Sequence, residues 1–159
     1  MTWLVRASHK RKAVSKGDTV KKTRVLLADD NPAILQHAAH LLAQHFEVVG
    51  AVPDGESVLQ AYEKLKPDVV ILDISMGELS GIQVAQRLRD LGHQTKVIFL
   101  TVHEEQEYVC EAFGSGAWGY VIKSCLADLP VAMHAVMADH IFISPNLLHS
   151  CQECYRQPV

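Results

Sequence analysis

Five mainly apolar runs alternate along the chain with longer segments whose apolar residues recur at helical spacing. The runs cover residues 24–28, 47–52, 68–72, 96–100 and 118–122. They are mostly apolar throughout rather than alternating with polar residues, which is typical of strands that are covered on both faces. The periodic segments between them predict helices. Right-handed crossovers between such units give a doubly wound α/β domain with a five-stranded parallel sheet and helices on both faces.

Capping residues predict where the helices begin. Asn31, followed by Pro32, is a start signal for the first helix directly after the first strand. The fourth helix is predicted over about residues 104–113, before a glycine-rich turn. Residues that could cap the other helices are Asp54, Ser80 and either Ser124 or Asp128.

Four of the predicted strands stop on chemically reactive residues. Asp29 and Asp30 follow the first strand, Asp73 the third, Thr101 the fourth and Lys123 the fifth. The carboxyl ends of parallel strands share one edge of the sheet, where open α/β folds bind their ligands. Because crowded carboxylates repel one another, such a cluster needs a cation, either a hard divalent metal or the lysine. The sequence therefore predicts a site at this edge.

Length and charge limit the classes of function. The 159 residues suit one domain, and no apolar stretch approaches the roughly 20 residues of a membrane span. The net charge is −3, but 8 of the 15 basic residues lie within residues 1–24, so the folded part is acidic. An acidic domain argues against nucleic-acid binding by this chain alone. Residues 1–22 lack the features of a secretory signal and are predicted to be a disordered basic leader.

The four cysteines carry little functional signal. Without an export signal they are expected to be reduced thiols in the cytoplasm, with Cys110 and Cys125 as small core residues. His149, Cys151 and Cys154 could seat a metal or form a redox pair, but a lone C-x-x-C motif is weak evidence for either.

Several short motifs occur together in a characteristic order. They are residues 28–32 (ADDNP), 72–76 (LDISM) with Gly81, 100–101 (LT) and 119–124 (GYVIKS). Over residues 23–139 the chain strongly resembles the receiver domain of two-component response regulators, which implies a flavodoxin-like sheet of strand order 2-1-3-4-5. Residues 140–159 would then be a C-terminal tail. The last motif, with Ile-Ser-Pro at 143–145, resembles the nitrate-regulator branch, whose members usually continue into a helix-turn-helix. Only 14 residues follow Pro145, too few for that output domain.

The resemblance assigns roles at the predicted site. Asp73 would be the phospho-acceptor, since a carboxylate can attack phosphorus and form an acyl phosphate. Asp30 would bind Mg²⁺ directly, Asp29 through water, and the Ser75 carbonyl would complete the protein ligands together with Asp73. Lys123 would neutralise a phosphoryl oxygen.

Four positions would control switching and the loss of the phosphoryl group. Thr101 would hydrogen-bond a phosphoryl oxygen and move towards it, and Tyr120 would turn inward behind it. Ser75 and His103 occupy the two positions that tune dephosphorylation in the family, and the sequence leaves open whether His103 orients water or lies in solvent. Gly77 stands where the family usually has proline, which frees the loop beside the acceptor.

These roles imply a signalling protein. It would take phosphate from a histidine kinase or a phosphotransfer protein, and it would catalyse only its own phosphorylation and dephosphorylation. An unidentified downstream protein would bind the surface formed by the fourth helix, fifth strand and fifth helix, and the same helices could form a homodimer. No membrane partner is expected, and the expected location is the cytoplasm.

Three alternatives remain. A haloacid-dehalogenase-type phosphatase would need an acid two residues after the nucleophile, where this chain has Ser75. A degenerate receiver that binds partners without phosphorylation is slightly favoured by Gly77, although the complete set of acidic, hydroxyl and lysine residues weighs against it. A flavodoxin-like cofactor binder lacks the expected phosphate loop after the first strand.

Overall fold

The computed structural model describes residues 4–5 and 20–148. The strands are β1 (Leu4–Val5), β2 (Arg24–Ala28), β3 (Glu47–Val52), β4 (Val69–Leu72), β5 (Lys96–Thr101), β6 (Gly119–Ile122) and β7 (His140–Ile143). The helices are α1 (Pro32–Leu42), α2 (Gly55–Leu65), α3 (Gly81–Asp90), α4 (Gln106–Gly114) and α5 (Leu129–Met137). Two 3₁₀ turns cover Lys123–Asp128 and Pro145–Leu147. The five predicted strands are therefore β2 to β6, within one residue at each end.

The strands form one sheet of order β1-β7-β6-β5-β4-β2-β3. Its central part, β3-β2-β4-β5-β6, has the expected 2-1-3-4-5 order, and these strands pair in parallel. The sheet continues further than predicted, because β7 pairs in parallel with β6 and β1 pairs antiparallel with β7. The assignment of residues 140–143 to a tail, and of the whole of residues 1–22 to a disordered leader, is therefore wrong at β7 and β1.

The side chains of the predicted caps begin three of the helices. Asn31, Asp54 and Ser80 each accept a backbone N–H in the first turn of α1, α2 and α3. The start of α5 differs from the prediction, because Asp128 precedes this helix without a capping side-chain bond and Ser124 lies in the preceding 3₁₀ turn.

Helices cover both faces of the sheet. On one face α2, α3 and α4 pack on residues such as Leu26 and Phe99. On the other face α1 and α5 pack on residues such as Leu27 and Ile98. All four side chains are almost completely buried, which explains why the strands are apolar throughout. The reactive polar side chains therefore lie at the ends of the strands.

The strand of the predicted partner surface has a neighbour on each side. β6, the fifth predicted strand, lies between β5 and β7 and is not an edge strand. In addition, α4 and α5 pack on opposite faces of the sheet. β7 therefore lies beside β6 between these helices, and the binding of a partner there stays a prediction.

The cysteine prediction holds only in part. Cys125 is a free, partly buried thiol, as expected. Cys110 is disulfide-bonded, so the expectation of a reduced thiol is wrong there. His149, Cys151 and Cys154 lie outside the described residues. Within the described ranges, none of the helices combines the length and apolar character that a bilayer crossing requires.

Candidate functional site

The three carboxylates meet at the carboxyl end of the sheet, as the sequence predicts. β2 and β4 are adjacent and in register, with Ala28 opposite Leu72, so the residues that follow them are neighbours. One oxygen from each of Asp29, Asp30 and Asp73 lies within 4.8 Å of the others. Asp29 and Asp73 are buried, whereas Asp30 is exposed. The pocket thus has two buried carboxylates and one at its rim.

Lys123 supplies a positive charge to the two buried carboxylates. It follows β6 directly, and its Nζ lies 2.6 Å from Asp29 Oδ2 and 2.9 Å from Asp73 Oδ2. Its side chain is only 12% exposed, so both ion pairs are largely shielded from water. A buried cation between two carboxylates offsets their mutual repulsion.

Burial and charge change the pKa values in this cluster. Loss of hydration raises the pKa of Asp29, and the neighbouring Asp73 charge adds to that effect, against the opposing contacts of Lys123 and the Asn31 N–H. Burial alone would lower the pKa of Lys123, but its contacts with Asp29 and Asp73 raise it above its ordinary value. The ammonium group therefore stays charged, and ionisation of Asp29 is less favourable than that of a solvated carboxylate.

The donor set fits a magnesium ion. Apart from its ion pair with Lys123, the buried Asp29 Oδ2 has no hydrogen-bond partner in the described part of the chain. The Asn31 N–H donates to Asp29 Oδ1 over 2.9 Å and fixes the orientation of this carboxylate. Carboxylate oxygens in small number are the protein ligands that Mg²⁺ uses, with waters filling the other positions. Asp29, Asp30 and Asp73 can therefore hold this ion.

The loop after Asp73 is held by its own backbone. The Ser75 N–H points to Asp73 Oδ1 at 3.4 Å, and the Gly81 N–H donates to the Ile74 carbonyl over 2.9 Å. A Cβ at Gly81 would lie 2.0 Å from the Asp73 carbonyl oxygen. Only glycine allows α3 to begin this close to the acceptor position.

Thr101 and Tyr120 are both completely buried and meet at His103. The Thr101 hydroxyl accepts the His103 N–H at 3.3 Å. The Tyr120 hydroxyl donates to the His103 carbonyl oxygen over 2.8 Å. The tyrosine ring therefore points inward, and the backbone of one residue joins the two predicted switch positions.

The side chain of His103 is anchored beside the acceptor loop. Its Nε2 lies 2.9 Å from Ser75 Oγ, and its ring stacks on Tyr108 with centroids 4.0 Å apart. Glu105 approaches its Nδ1 at 3.7 Å. The imidazole is therefore held in place and is not loose in solvent, and its role in dephosphorylation stays a prediction.

Gly77 has a backbone conformation that proline cannot adopt. Its φ is +90°, and no atom lies within 4 Å of a Cβ built there. Proline is confined to φ near −65°, so this loop follows a different path from one that carries proline at this position. The departure from the family pattern is thus a local change of the backbone.

Gly81 and Ser144 make contacts near the site that the sequence did not predict. Gly81 belongs to the quoted motif, but its contact with the Asp73 backbone follows only from the packing of α3. Ser144 is completely buried and bonded to β6, although the sequence places it in a tail. A serine followed by proline at the end of an apolar run is the only sequence signal for it.

Comparison with known proteins agrees with the motifs. The family model for the response regulator receiver domain matches residues 25–134. The transcriptional regulatory protein DegU of Brevibacillus brevis is 30% identical over 141 residues, which are 87% of this chain and 60% of that protein. The chain thus spans about three fifths of that relative's length.

Solved structures show the same fold. A LuxR-family two-component response regulator from Aurantimonas is 26% identical, with a TM-score of 0.79 over 84% of this chain and 97% of that one. The signal receiver domain assigned to the response regulator NarL of Mycobacterium tuberculosis is 30% identical, with a TM-score of 0.71 over 74% and 98%. Together with the family match, these likenesses show that this chain belongs to the receiver domain family of two-component response regulators.

Proposed function

We propose that this receiver domain accepts a phosphoryl group on Asp73 in a magnesium-dependent reaction and thereby changes its affinity for partners. The observation that carries the proposal is the meeting of three carboxylates and one lysine at a single edge of the sheet. Asp29, Asp30 and the Ser75 carbonyl would hold Mg²⁺ beside the acceptor. The ion would neutralise negative charge on the carboxylates and on the phosphoryl oxygens.

Asp73 has the position and charge of a nucleophile. A carboxylate oxygen of Asp73 would form a bond to phosphorus while the bond from phosphorus to the donor breaks, and the donor would leave with the bonding electrons. The product is an acyl phosphate. Its later hydrolysis by water returns the free carboxylate and inorganic phosphate, so the chain catalyses only reactions of its own side chain.

Lys123 would change partners during this reaction. Its Nζ now lies between Asp29 and Asp73, and a phosphoryl group on Asp73 would bring strong acceptor oxygens to the same place. Thr101, at the end of the neighbouring β5, would donate its hydroxyl to another phosphoryl oxygen. That bond would draw the backbone of His103 with it, and Tyr120, bonded to the same backbone, would respond.

Ser75 and His103 would set the lifetime of the phosphoryl group. Their side chains are joined over 2.9 Å beside the acceptor loop, and stacking on Tyr108 keeps the imidazole there. A ring in this position would restrict the approach of water to phosphorus.

The family indicates the class of the phosphate donor but not the individual protein. Receiver domains of response regulators take phosphate from histidine kinases, so we propose a histidine kinase or a phosphotransfer protein as donor. The relative DegU is a transcriptional regulatory protein, and this chain spans only part of its length. Control of transcription would need an output domain joined to this chain or recruited by it.

Incubation of the purified chain with Mg²⁺ and acetyl phosphate tests the proposal. Intact mass spectrometry is expected to show the addition of one phosphoryl group, which disappears in the Asp73→Asn variant and in excess EDTA. Glu78→Gln is the matched control, because it removes an exposed acid of the same loop. Addition of the group to Asp73→Asn, or no addition to the wild type, would contradict the proposal, and the second result would favour a receiver that acts without phosphorylation.

A further inference from the structure

Ser144 makes two hydrogen bonds to the backbone at the end of β6. Its backbone N–H donates to the Tyr120 carbonyl oxygen over 2.9 Å. Its side-chain Oγ accepts the Ile122 N–H over 3.0 Å. Ser144 is completely buried and Ile122 is 1% exposed, so water does not compete for either bond.

The second of these bonds replaces one that the strand itself would have made. β7 pairs in parallel with β6: the Phe142 N–H donates to the carbonyl of Trp118, directly before β6, and the Ser144 N–H donates to the carbonyl of Tyr120. In a regular parallel ladder the Ser144 carbonyl would then accept the Ile122 N–H. Here Pro145 begins a 3₁₀ turn, and the hydroxyl takes that acceptor position. The hydrogen bonding between the two strands therefore continues one position past the end of β7, through a side chain instead of the backbone.

The bonded amide directly precedes the cation of the site. Lys123 is the next residue after Ile122, and its Nζ contacts both buried carboxylates. Lys123 also opens the 3₁₀ turn that follows β6, and two residues later Cys125 departs from helical geometry, with φ −117° and ψ 44°. The backbone of Lys123 thus continues directly from the amide that the Ser144 hydroxyl binds.

The chain after Ser144 is anchored as well. Leu147 is 3% exposed and packs in the same core as Tyr120, and its N–H donates to the Ser144 carbonyl over 2.9 Å. The Asn146 amide lies 3.8 Å from the Cys125 Sγ, in the turn that follows Lys123. Ser144 is thus held from both sides and provides a rigid support for β6.

We infer that Ser144 is a positioning residue for phosphoryl transfer, acting through the Ile122 amide to hold Lys123 towards Asp29 and Asp73. The inference rests on the proposed function for its kinetic consequence. Its structural content, the support of Lys123 by the hydroxyl of the residue that follows β7, does not depend on phosphorylation.

The test compares variants of the full chain. Ser144→Ala removes the acceptor of the Ile122 N–H, whereas Ser144→Thr keeps a hydroxyl. Ser115→Ala is the matched control, because Ser115 is also a buried serine whose hydroxyl bonds a backbone group, the Ala112 carbonyl, but it lies beyond α4 and away from the acidic cluster. Each variant is phosphorylated with acetyl phosphate and Mg²⁺ below its unfolding transition, in the wild-type and the Lys123→Ala backgrounds.

Ser144→Ala is expected to slow phosphorylation by about fivefold or more, because small misplacements of a charged group reduce rates strongly. Ser144→Thr and Ser115→Ala are expected to stay within about twofold of the wild type. In the Lys123→Ala background, Ser144→Ala should have almost no further effect. Equal slowing in both backgrounds, or no slowing in either, would overturn the inference.

A spectroscopic measurement separates this inference from the proposed function. The ¹³Cε resonance of Lys123 is recorded without phosphoryl donor, and Ser144→Ala is expected to shift it while Ser115→Ala leaves it in place. If the wild type accepts no phosphoryl group, the proposed function fails, and this resonance still decides the inference. An unchanged Lys123 resonance together with faster hydrogen exchange at the Ile122 amide would show a purely structural role and would overturn it.

Discussion

At the scale of single residues, Asp29 determines how this site depends on a cation. It is 2% exposed, it faces Asp73, and one of its oxygens has only the Lys123 ion pair among the described residues. Desolvation raises its pKa, so the ionised form destabilises the metal-free fold at neutral pH. A divalent ion would remove that cost and would make stability depend on magnesium.

The Asp29→Asn variant is expected to be more stable than the wild type at pH 7 without Mg²⁺. A raised pKa means that the Asp29 contribution to stability is complete below pH 3.8 and is lost as the pH rises through the folded-state pKa. The variant should therefore have a higher free energy of unfolding than the wild type only at pH values above this titration of Asp29. Urea unfolding between pH 3.5 and 8 measures it, and Mg²⁺ should stabilise the wild type but not the variant. A lower midpoint for the variant at pH 7 would contradict this account.

The His103→Ala variant is expected to lose its phosphoryl group about threefold faster than the wild type, because the imidazole no longer restricts water beside the acceptor loop. The decay of the phosphorylated chain after removal of acetyl phosphate gives the rate. His37→Ala, at an exposed position of α1, is the control and should decay as the wild type does. A longer lifetime in His103→Ala would mean that the ring instead activates water.

At the scale of elements, the site depends on how closely α3 begins beside the loop after β4. Ser80 and Gln83 cap α3 reciprocally, and Gly81 lies against the Asp73 backbone. The cap pattern and the glycine could be predicted from the sequence as local signals. Their common effect on the acceptor could not, because it depends on the packing distance between two elements.

The Gly81→Ala variant is expected to be destabilised by about 2 kcal/mol or more and to be phosphorylated poorly, because the new methyl group would collide with the Asp73 carbonyl. Gly114→Ala in α4 is the matched control, since no atom lies within 4 Å of a Cβ there. That control should change stability by less than about 0.5 kcal/mol. Denaturant unfolding and the phosphorylation rate measure both variants, and equal behaviour of the two would refute the packing argument.

At the scale of the whole molecule, the sequence predicts the repeating part of the fold better than its edges. β2 to β6 and their helices follow from apolar runs and periodicity, and the meeting of Asp29, Asp73 and Lys123 follows from parallel strand order. The pairing of β7 with β6 was not predicted, because the three apolar residues at 141–143 indicate a short extended segment but do not distinguish a paired strand from a loop. Tyr120, which the resemblance expects to turn inward, lies completely buried beside that strand.

A chain that ends at residue 139 is expected to be less stable than one that ends at residue 148 by about 3 kcal/mol or more, because it loses several buried side chains. The buried residues lost are Ile141, Phe142, Ile143 and Leu147. Thermal and urea unfolding of the two chains measure the difference. Equal stability would mean that the receiver fold is complete without β7.

The identity of the modified residue tests the central claim most directly. The chain is incubated with Mg²⁺ and acetyl phosphate, the acyl phosphate is reduced with borohydride, and peptide mass spectrometry locates the aspartate that has become homoserine. The account predicts this conversion at position 73 alone, with none when Mg²⁺ is withheld. Conversion at position 29 or 30 instead, or conversion at position 73 that does not need Mg²⁺, would contradict it.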